Sequence, residues 1–525
     1  MQVNYSLNNF YEITETNVQT LPNKTIIFEN DLKISNREFK RLVDVVAEFL
    51  FANGITHGDK VALVMSNSWQ FIVNVFAISK VGGVVVPVNN FLKEDELSYI
   101  LNDAQAKLLF SSSKFAKETQ SLLQKTNIEK IVWVNGCPFE NEKNIDYAKM
   151  IAIPLSGKQE TYYPTTLTDT AVIVYTSGTT GKPKGAMLSF KNIFSNCEGC
   201  KNLMNVKAGG IKMLSYLPMF HAFTFTVTVI FPIYTNSGVI VIPSIAGIKD
   251  FKNLLKQLLF KRCPYFVGVP DIYKAMARAK LPWYFHWFHN VKGFISGAAP
   301  LSEETHKKFS QSFKRGELIE GYGISECSPI ISCNKPGENR IGSVGKPLAD
   351  YKVKIFDENM QEVPLGEHGE ICVQGDCVMQ GYFNRPNDTE EAIVNGWFKT
   401  GDIGKVDADG YIYIVDRIKD LIIHKGMNIY PREIEELLYT NEKINACAVI
   451  GEKDDEGNEI PVAYVVLKDN VVTSDNEIKE FLKQNLAAFK MPRKVIFLPD
   501  LPRNATGKIL KRELRNLHPN NKPGA

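Results

Sequence analysis

The densest group of residues that could do chemistry lies between Tyr175 and Gly185, in the sequence Tyr-Thr-Ser-Gly-Thr-Thr-Gly-Lys-Pro-Lys-Gly. Backbone N–H groups, four hydroxyl residues and two lysines could together surround a polyphosphate. The segment is not a P-loop, because Thr176 and Pro183 stand where that motif needs its first glycine and its final serine or threonine. An ordinary glycine- and serine-rich turn is the alternative, but such a turn has no use for two lysines.

Two later loops have a similar composition and follow apolar segments, at Ser296–Pro300 and Gly321–Glu326. Small residues let a flat base approach the backbone, and Tyr322 offers a face for stacking. Ser325 supplies a hydroxyl for phosphate, and Glu326 a hard carboxylate for Mg²⁺. Each loop alone is also compatible with a turn. Parallel sheets, however, bind ligands at the carboxyl ends of their strands, where all three loops would meet.

Three polar segments complete the candidate set. Asp402 follows a glycine turn in Trp397–Asp402 and could hold ribose hydroxyls. Asp416–Asp420 is a charged stretch at a change of composition. Lys508 ends the segment that begins at Pro502 and leads into a basic helix. Taken alone, that lysine is typical of a solvated surface.

Hydrophobic periodicity predicts the elements that must position these loops. Strands at Lys60–Met65 and Val84–Val88 alternate with helices at Trp69–Gly82 and Glu94–Asp103, which indicates parallel sheets covered by helices on both faces. From residue 342 to 415, alternation with period two and an Asp-Gly turn predict a small antiparallel β-subdomain. Beyond residue 416, a helix that begins at Pro431 introduces an α+β unit of about a hundred residues.

Length and composition limit the class of protein. A chain of 525 residues with 44% apolar and 23% charged residues predicts a soluble globular protein of several domains. The net charge of +3 gives no sign of a nucleic-acid-binding surface. Met1–Glu12 lacks the blocks of a secretory signal, and Val227–Ile242 is interrupted by a proline and polar residues, so we expect neither export nor a membrane span. Nine cysteines without a pairing pattern suit the cytoplasm.

Cys197 and Cys200 form a C-x-x-C. A redox or zinc site is one interpretation, but no second pair of cysteines lies nearby in the sequence. Two small apolar residues on one face of a helix are the favoured interpretation.

Together these segments resemble the adenylate-forming superfamily of acyl-CoA synthetases, carrier-protein adenylation domains and luciferases. The signatures occur in the family's order and approximate spacing over nearly the whole chain. The resemblance implies an α/β fold whose large N-terminal region, residues 1–415, has two α/β subdomains and a β-barrel-like subdomain at 342–415. It also implies a hinge at 416–420 and a small mobile α+β C-terminal domain at 421–525.

The resemblance assigns most candidates to ATP. The loop that grips the β- and γ-phosphates corresponds to Thr176, Ser177, Gly178, Thr179, Thr180, Gly181, Lys182 and Lys184. The adenine pocket corresponds to Tyr322 and to Gly297–Pro300, which includes Ala298 and Ala299. Gly323 and Ser325, which stands where relatives usually have threonine, are also assigned to the nucleotide. Asp402 and Arg417 correspond to the ribose ligands.

The resemblance also implies the catalytic groups. Lys508 matches the lysine that bridges the carboxylate and the α-phosphate, Glu326 matches the Mg²⁺ ligand, and Lys419 matches the hinge position. A carboxylate must attack the α-phosphate, so two anions meet, and Mg²⁺ and Lys508 offset the charge where it develops. Because the carboxylate is itself the nucleophile, no general base is required.

The acid pocket is less distinct in the sequence. Leu217–His221 resembles the family segment whose aromatic residue and histidine line the acyl site, which adds His221 to the predicted catalytic residues. Ala222–Ile233 is almost wholly apolar, and no charged residue occurs between His221 and Ile248, so an amino acid substrate is disfavoured. A core helix with a structural His221 is the alternative.

Two further segments bear on the substrate. Asp376–Asp388 is similar to the corresponding segment of fatty acyl-CoA ligases, so we expect a medium- or long-chain fatty acid. The run Leu281–His289 is unusually aromatic. We expect it to pack internally, and the alternative is an interfacial surface where a membrane-dissolved acid enters, a contact that would be peripheral at most.

The thiol acceptor divides the remaining possibilities. Lys425–Met427, which includes Gly426, resembles the segment lining the pantetheine tunnel of coenzyme A ligases, so we expect acyl-CoA, AMP and pyrophosphate as products. The alternative acceptor is the phosphopantetheine of an acyl carrier protein, an acidic partner for the basic C-terminal end. An aryl acid–CoA ligase is a third possibility. The intact set of polar site residues disfavours a non-enzymatic binding module.

Overall fold

The computed structural model of the chain describes residues 6–139, 141–156, 164–176, 182–243, 248–279, 281–424, 427–454, 457–504 and 507–517. It is a mixed α/β protein, as the sequence predicts. Among the described residues the largest sheet has eight strands, and six of these run parallel to one another. In spatial order its strands are Gly381–Tyr382, Lys184–Ser189, Thr170–Thr176, Val84–Pro87, Lys60–Val64, Ala106–Ser112, Lys130–Val134 and Asn144–Asp146.

The central strands of this sheet are continuous apolar segments in the sequence. Val84–Pro87 is buried at every position because helices cover both faces of the sheet. The helix Trp69–Lys80 begins at Ser68, whose hydroxyl oxygen accepts the N–H of Phe71. It ends before Gly82, whose φ of +73° suits glycine and stops the helix.

Two further sheets complete the α/β region. In spatial order, the strands of one are Lys212–Ser215, Gly238–Val241, Thr25–Glu29 and Leu32–Ser35. Those of the other are Tyr265–Gly268, Gly293–Ser296, Glu317–Gly323, Ile330–Cys333 and Lys346–Pro347. The first three strands of the second sheet run parallel, so the loops that follow Ser296 and Gly323 leave the same edge.

The rest of the chain forms an antiparallel sheet and a smaller α+β unit. The antiparallel strands are Lys352–Phe356, Gly369–Gln374, Ile393–Val394, Trp397–Val406 and Ile412–Arg417. The final unit has the strands Ile422–His424, Met427–Ile429, Ile444–Lys453, Glu459–Leu467 and Lys494–Phe497. The domain boundaries at 415 and 421 remain predictions.

Helices cover these sheets. The longer α-helices are Phe10–Thr20, Asn36–Ala52, Trp69–Lys80, Glu94–Asp103, Phe190–Met204, Ile248–Phe260, Pro270–Arg278, Trp283–Phe288, Glu303–Ser312, Pro386–Ala392, Pro431–Thr440, Asp475–Lys483 and Lys511–Asn516. Cys197 and Cys200 are both fully buried on Phe190–Met204, which agrees with their interpretation as apolar packing residues. Among the described residues no helix is long and apolar enough to cross a membrane.

The aromatic run Leu281–His289 corrects one expectation. Internal packing holds for Phe285 and His289, each 3% exposed. It is wrong for the two tryptophans, the tyrosine and the second phenylalanine, because Trp283, Tyr284, Trp287 and Phe288 are 70%, 45%, 69% and 65% exposed. The physical reason is helical spacing: on the short helix Trp283–Phe288 the two sets of residues occupy opposite faces, and only one face meets the core.

Candidate active site

One end of the site is organised around Glu326. Its carboxylate Oε1 accepts hydrogen bonds from Thr176 Oγ1 and from the Tyr382 hydroxyl, each at 3.1 Å. Thr176 ends the strand Thr170–Thr176, whereas Glu326 lies in the turn after Glu317–Gly323. Two loops that are 150 residues apart in sequence are therefore joined by one carboxylate.

The two lysines of the glycine-rich loop are held by different partners. Lys184 forms an ion pair with Asp388 and lies 5.5 Å from the centre of the Tyr382 ring. Lys182 lies over the ring of Tyr99, 5.4 Å from its centre. The predicted phosphate ligands Ser177, Gly178, Thr179, Thr180 and Gly181 lie outside the described residues.

The predicted adenine loop is closely packed at its glycine. A Cβ on Gly297 would lie 3.2 Å from the Phe223 ring, so only glycine leaves this approach unhindered. Ala298 has a φ of +65°, a conformation that is unfavourable for alanine. Strained backbone of this kind persists where the surrounding structure imposes it, and such positions cluster at ligand sites. Ala299 follows, half-buried.

The second predicted nucleotide loop depends on Gly323. A Cβ at this position would lie 1.9 Å from the carbonyl oxygen of Pro329, so another residue type would force the two backbone segments apart. The close approach holds the turn that carries Ser325 and Glu326 against the strand Ile330–Cys333.

Asp402 is the centre of a buried polar cluster and is only 3% exposed. Its Oδ2 accepts from the Tyr322 hydroxyl at 2.6 Å, and its Oδ1 lies 3.0 Å from Arg417 Nε. The pairing follows from strand register, because Asp402 and Arg417 are direct partners in the antiparallel pair Trp397–Val406 and Ile412–Arg417. The carboxylate raises the pKa of the Arg417 guanidinium, so the pair stays charged.

Lys508 reaches this cluster from the C-terminal unit. Its backbone N–H donates to Asn504 Oδ1 at 2.9 Å within a small hairpin that pairs Arg503 with Ile509. The Arg503 guanidinium lies 3.0 Å from the carboxylate of Asp271, at the start of the helix Pro270–Arg278. The hairpin is thus held against the large region through that ion pair.

The electrostatic environment of Lys508 places its ammonium among the other site residues. Burial lowers the pKa of Lys508 to about 7. Arg417 and Lys419 act in the same direction, and Asp402 opposes them. Lys508 also helps to lower the pKa of His221, so its charge acts on the predicted acid pocket as well as on the Asp402 cluster.

His221 caps the start of the acid-pocket segment. Its Nδ1 accepts the N–H of Phe223 at 3.3 Å, so in the neutral ring the proton lies on Nε2. Burial, followed by the charge of Lys508, lowers the pKa of His221 to about 4. The imidazole is therefore neutral at physiological pH.

The apolar segment after His221 divides between the core and the site. Phe225 and Phe231 are fully buried in the main core, as the core-helix interpretation requires. Phe223 instead borders the adenine loop at Gly297. Asn67 fixes the preceding segment: its side chain donates to Leu217 O and accepts from Met219 N, each at 2.9 Å.

The hinge candidates are only partly described. Lys419 lies in one turn of 3-10 helix, Ile418–Asp420. Its pKa is lowered mainly by partial burial and secondly by the charge of Arg417. Asp420 in the same turn forms an ion pair with Arg515 at 3.0 Å. Gly426 lies outside the described residues.

Three site residues were not found from the sequence: Asn67, Tyr382 and Asp388. The last two lie within Asp376–Asp388, which suggested only a substrate class. Their contacts with Glu326 and Lys184 depend on the pairing of Gly381–Tyr382 with Lys184–Ser189, which no local pattern indicates.

Comparisons with known proteins agree with this geometry. Residues 14–383 match the AMP-binding enzyme family, and residues 433–508 match the AMP-binding enzyme C-terminal domain. A long-chain fatty acid–CoA ligase of Bacillus subtilis (strain 168) is 33% identical over 524 residues, covering 94% of this chain and 91% of the relative. A feruloyl-CoA synthase of Amycolatopsis sp. is 32% identical, covering 94% of this chain and 96% of the relative.

Solved structures give the same result. ATP-bound MatB from Rhodopseudomonas palustris is 29% identical, with a TM-score of 0.87 over 97% of this chain and 99% of that one. Apo MatB from the same organism, also 29% identical and with the same coverage, has a lower TM-score of 0.77. A Mycobacterium tuberculosis fatty acyl CoA synthetase has a TM-score of 0.75 at 29% identity, over 97% of this chain and 98% of that one.

The family matches extend over most of the chain, and polar residues that the sequence singled out are paired, Thr176 with Glu326 and Asp402 with Arg417. The chain is an acid–thiol ligase that binds ATP, and it belongs to the AMP-binding enzymes of the adenylate-forming superfamily.

Proposed function

We propose that this protein activates a medium- or long-chain fatty acid with ATP through an acyl-adenylate and transfers the acyl group to coenzyme A. The observation that carries the proposal is the buried Asp402–Arg417 ion pair, to which Lys508 is coupled electrostatically, as it is to His221. A cation at that point would lie between the bound nucleotide and the acid. The TM-score is higher with ATP-bound MatB (0.87) than with apo MatB (0.77), which supports this arrangement of Lys508 at a nucleotide site.

The protein's residues would act mainly by positioning and by offsetting charge. Asp402 would hold the ribose hydroxyls while Arg417 keeps that carboxylate ionised. Lys508 would contact both the attacking carboxylate and the α-phosphate, which reduces the repulsion between two anions and stabilises the charge that builds at phosphorus. Neutral His221 would add no charge of its own beside the incoming acid.

The residues around Glu326 fit Mg²⁺. A carboxylate next to a threonine hydroxyl is a hard oxygen donor set, and Mg²⁺ at nucleotide sites is usually held by one or two carboxylates together with phosphates. Such an ion would neutralise phosphate charge when bound.

The fatty acid is the favoured substrate because the pocket segment carries no charge and a similar ligase of 33% identity is named for long-chain fatty acids. An aryl acid is the second candidate, because the feruloyl-CoA synthase is 32% identical over an equally large part of the chain. For the acceptor, coenzyme A is favoured over an acyl carrier protein by the names of both relatives.

The decisive experiment measures pyrophosphate release from ATP with a panel of saturated fatty acids and hydroxycinnamates. AMP and an acyl-CoA should accumulate with a fatty acid and coenzyme A. Products of ADP and phosphate would contradict adenylation. Turnover with hydroxycinnamates alone would keep the mechanism and replace the substrate. Transfer only to an acyl carrier protein would replace the acceptor.

A further inference from the structure

The aromatic residues of the helix Trp283–Phe288 form an exposed patch that the active site does not use. Trp283, Tyr284, Trp287 and Phe288 share one face and are between 45% and 70% exposed. We call these four residues the aromatic patch. Large exposed aromatic groups on a short helix mark interaction surfaces rather than folding requirements.

The patch is rigidly supported from below. The Phe285 ring is 6.3 Å from that of Phe313, and the buried His289 ring is 6.0 Å from that of Phe294, within the core of the second α/β sheet. Arg315 donates to the carbonyl oxygen of Trp287. The outward aromatic groups are therefore held on a fixed platform.

Exposed cations border the patch. Arg315 contacts it directly, and the Asn290 side chain donates to the carbonyl oxygen of Arg262, which brings Arg262 beside the end of the helix. Lys292 and Lys314 are exposed next to these residues in the chain. Glu317 opposes them at the same strand edge, where its carboxylate accepts the N–H of Gly337.

The sequence around the patch also contains more basic than acidic residues. Between Phe251 and Ser302 it contains eight lysines and arginines and a single acidic residue, although the whole chain has a net charge of only +3. Of these, Lys274 and Arg278 contact Asn445 in the C-terminal unit, whereas Arg262 and Lys292 lie beside the end of the aromatic helix.

From this combination we infer that the aromatic patch docks the protein onto the surface of an anionic lipid bilayer. Tryptophan, tyrosine and phenylalanine insert at the boundary between headgroups and acyl chains, while lysine and arginine at the rim meet anionic headgroups. A two-fold contact between copies of this chain is less suitable, because it would bring the same cations face to face. The inference concerns a surface and does not depend on which acid is activated.

The test measures co-sedimentation of the full chain with vesicles of phosphatidylglycerol and phosphatidylcholine, and with phosphatidylcholine alone. The parent should bind the anionic vesicles and bind phosphatidylcholine vesicles much less. Trp283→Ser, Trp287→Ser and Phe288→Ser combined should weaken binding about tenfold or more, because they remove most of the inserted apolar area. Arg262→Gln, Lys292→Gln and Lys314→Gln combined should remove the preference for anionic lipid.

A matched variant controls for loss of exposed apolar side chains in general. Ile341→Ser, Leu365→Ser and Val472→Ser combined alter residues that are 57%, 68% and 89% exposed elsewhere, and should bind like the parent. Circular dichroism and melting temperature establish that each variant is folded. Equal vesicle binding by the parent and the aromatic variant would overturn the inference. So would a parent that binds no vesicle but dimerises through these aromatic groups in size-exclusion chromatography.

A spectroscopic readout isolates the patch. Trp133 is fully buried, whereas Trp283 and Trp287 are about 70% exposed, so tryptophan emission should shift to the blue when anionic vesicles are added. Trp283→Phe and Trp287→Phe combined should abolish the shift while largely preserving binding. An unchanged shift in that variant would place the contact elsewhere.

Discussion

The two halves of the active site are built differently. On the nucleotide half, ionic and polar side chains pair with one another: Asp402 with Tyr322 and Arg417, and Glu326 with Thr176. On the acid half, the segment Leu217–His221 is fixed mainly through backbone groups, and the residues after His221 are apolar and largely part of the core.

The difference explains what each half can specify. Charge-assisted pairs need particular residue types in a particular geometry, so few substitutions preserve them. Apolar walls need only volume and shape, and many sequences provide these. We therefore expect the nucleotide half to be common to ligases of different acids and the acid half to vary with the substrate. Four perturbations test this division, from the largest expected effect to the smallest.

Replacing Lys508 should be the most damaging change because this residue belongs to both halves. Lys508→Ala should slow adenylation by about 10²–10³ while leaving ATP affinity nearly unchanged, since the lysine contributes mainly where charge develops. Synthetic acyl-AMP should still give the thioester. Lys494→Ala, an exposed lysine of the same C-terminal unit, is the control and should be silent. Equal losses in the two half-reactions would mean that Lys508 is structural.

The hinge prediction concerns adenylation and thioester formation, which would need different positions of the C-terminal unit. We propose that Lys508, when placed for adenylation, leaves no open path for a thiol, and that the C-terminal unit rotates between the two steps about the turn Ile418–Asp420. Lys419→Pro should spare adenylation and slow thioester formation by about 10², because proline fixes φ and a misplaced domain aligns the thiol poorly. A bulky residue at Gly426 should act similarly by filling the thiol path.

Lys419→Ala is the matched control for the hinge, because it removes the ammonium but keeps the backbone free. It should form acyl-CoA at nearly the parent rate. Quenched time courses that trap bound acyl-AMP measure both steps. A Lys419→Pro enzyme that makes acyl-CoA as fast as the parent rules out the pivot.

The pH dependence of adenylation should report Lys508. Burial lowers its pKa from the ordinary lysine value to about 7, so the side chain loses its positive charge as the pH rises through 7. In the free enzyme, kcat/KM for pyrophosphate release should therefore fall by about tenfold per pH unit above that point. His221, with a pKa of about 4, is already neutral in this range and does not contribute to the fall in kcat/KM above pH 7, the alkaline limb of the profile.

An arginine variant tests whether deprotonation of Lys508 causes the alkaline limb of the pH profile. Lys508→Arg carries a guanidinium that stays charged over the whole range, so its profile should be flat from about pH 7 to about pH 9, whatever its absolute rate. A parent profile that is itself flat, or an identical limb in the variant, contradicts the assignment.

The sequence predicted the elements well because they leave local signals. Val84–Pro87 is a continuous apolar run, and the strand and helix boundaries near it differ from expectation by only one or two residues. The candidate nucleotide residues also lie in short motifs. The structure places Thr176 against Glu326 and couples Lys508 electrostatically to Asp402, whereas their roles stay predictions.

The features missed from the sequence depend on long-range pairing or on which face of a helix meets the core. Asp388 reaches Lys184 only because Gly381–Tyr382 pairs with Lys184–Ser189 across the sheet edge. The aromatic run at Leu281–His289 was expected to be internal because its composition resembles a core. Composition alone does not reveal that the helix has neighbours on one side only.

The smallest expected effect tests whether the nucleotide half relies on pairs made before ATP arrives. Asp388→Asn keeps the size of the side chain but removes the charge that holds Lys184, so the lysine would sample more conformations. We expect KM for ATP to rise about three- to tenfold with kcat nearly unchanged, as for the loss of one partly buried ion pair. Asp376→Asn, which breaks the exposed 2.8 Å pair with Lys191 in the same segment, is the control and should leave KM unchanged. A lower KM in Asp388→Asn would mean instead that Asp388 competes with phosphate for Lys184, and that this part of the site is organised by the nucleotide itself.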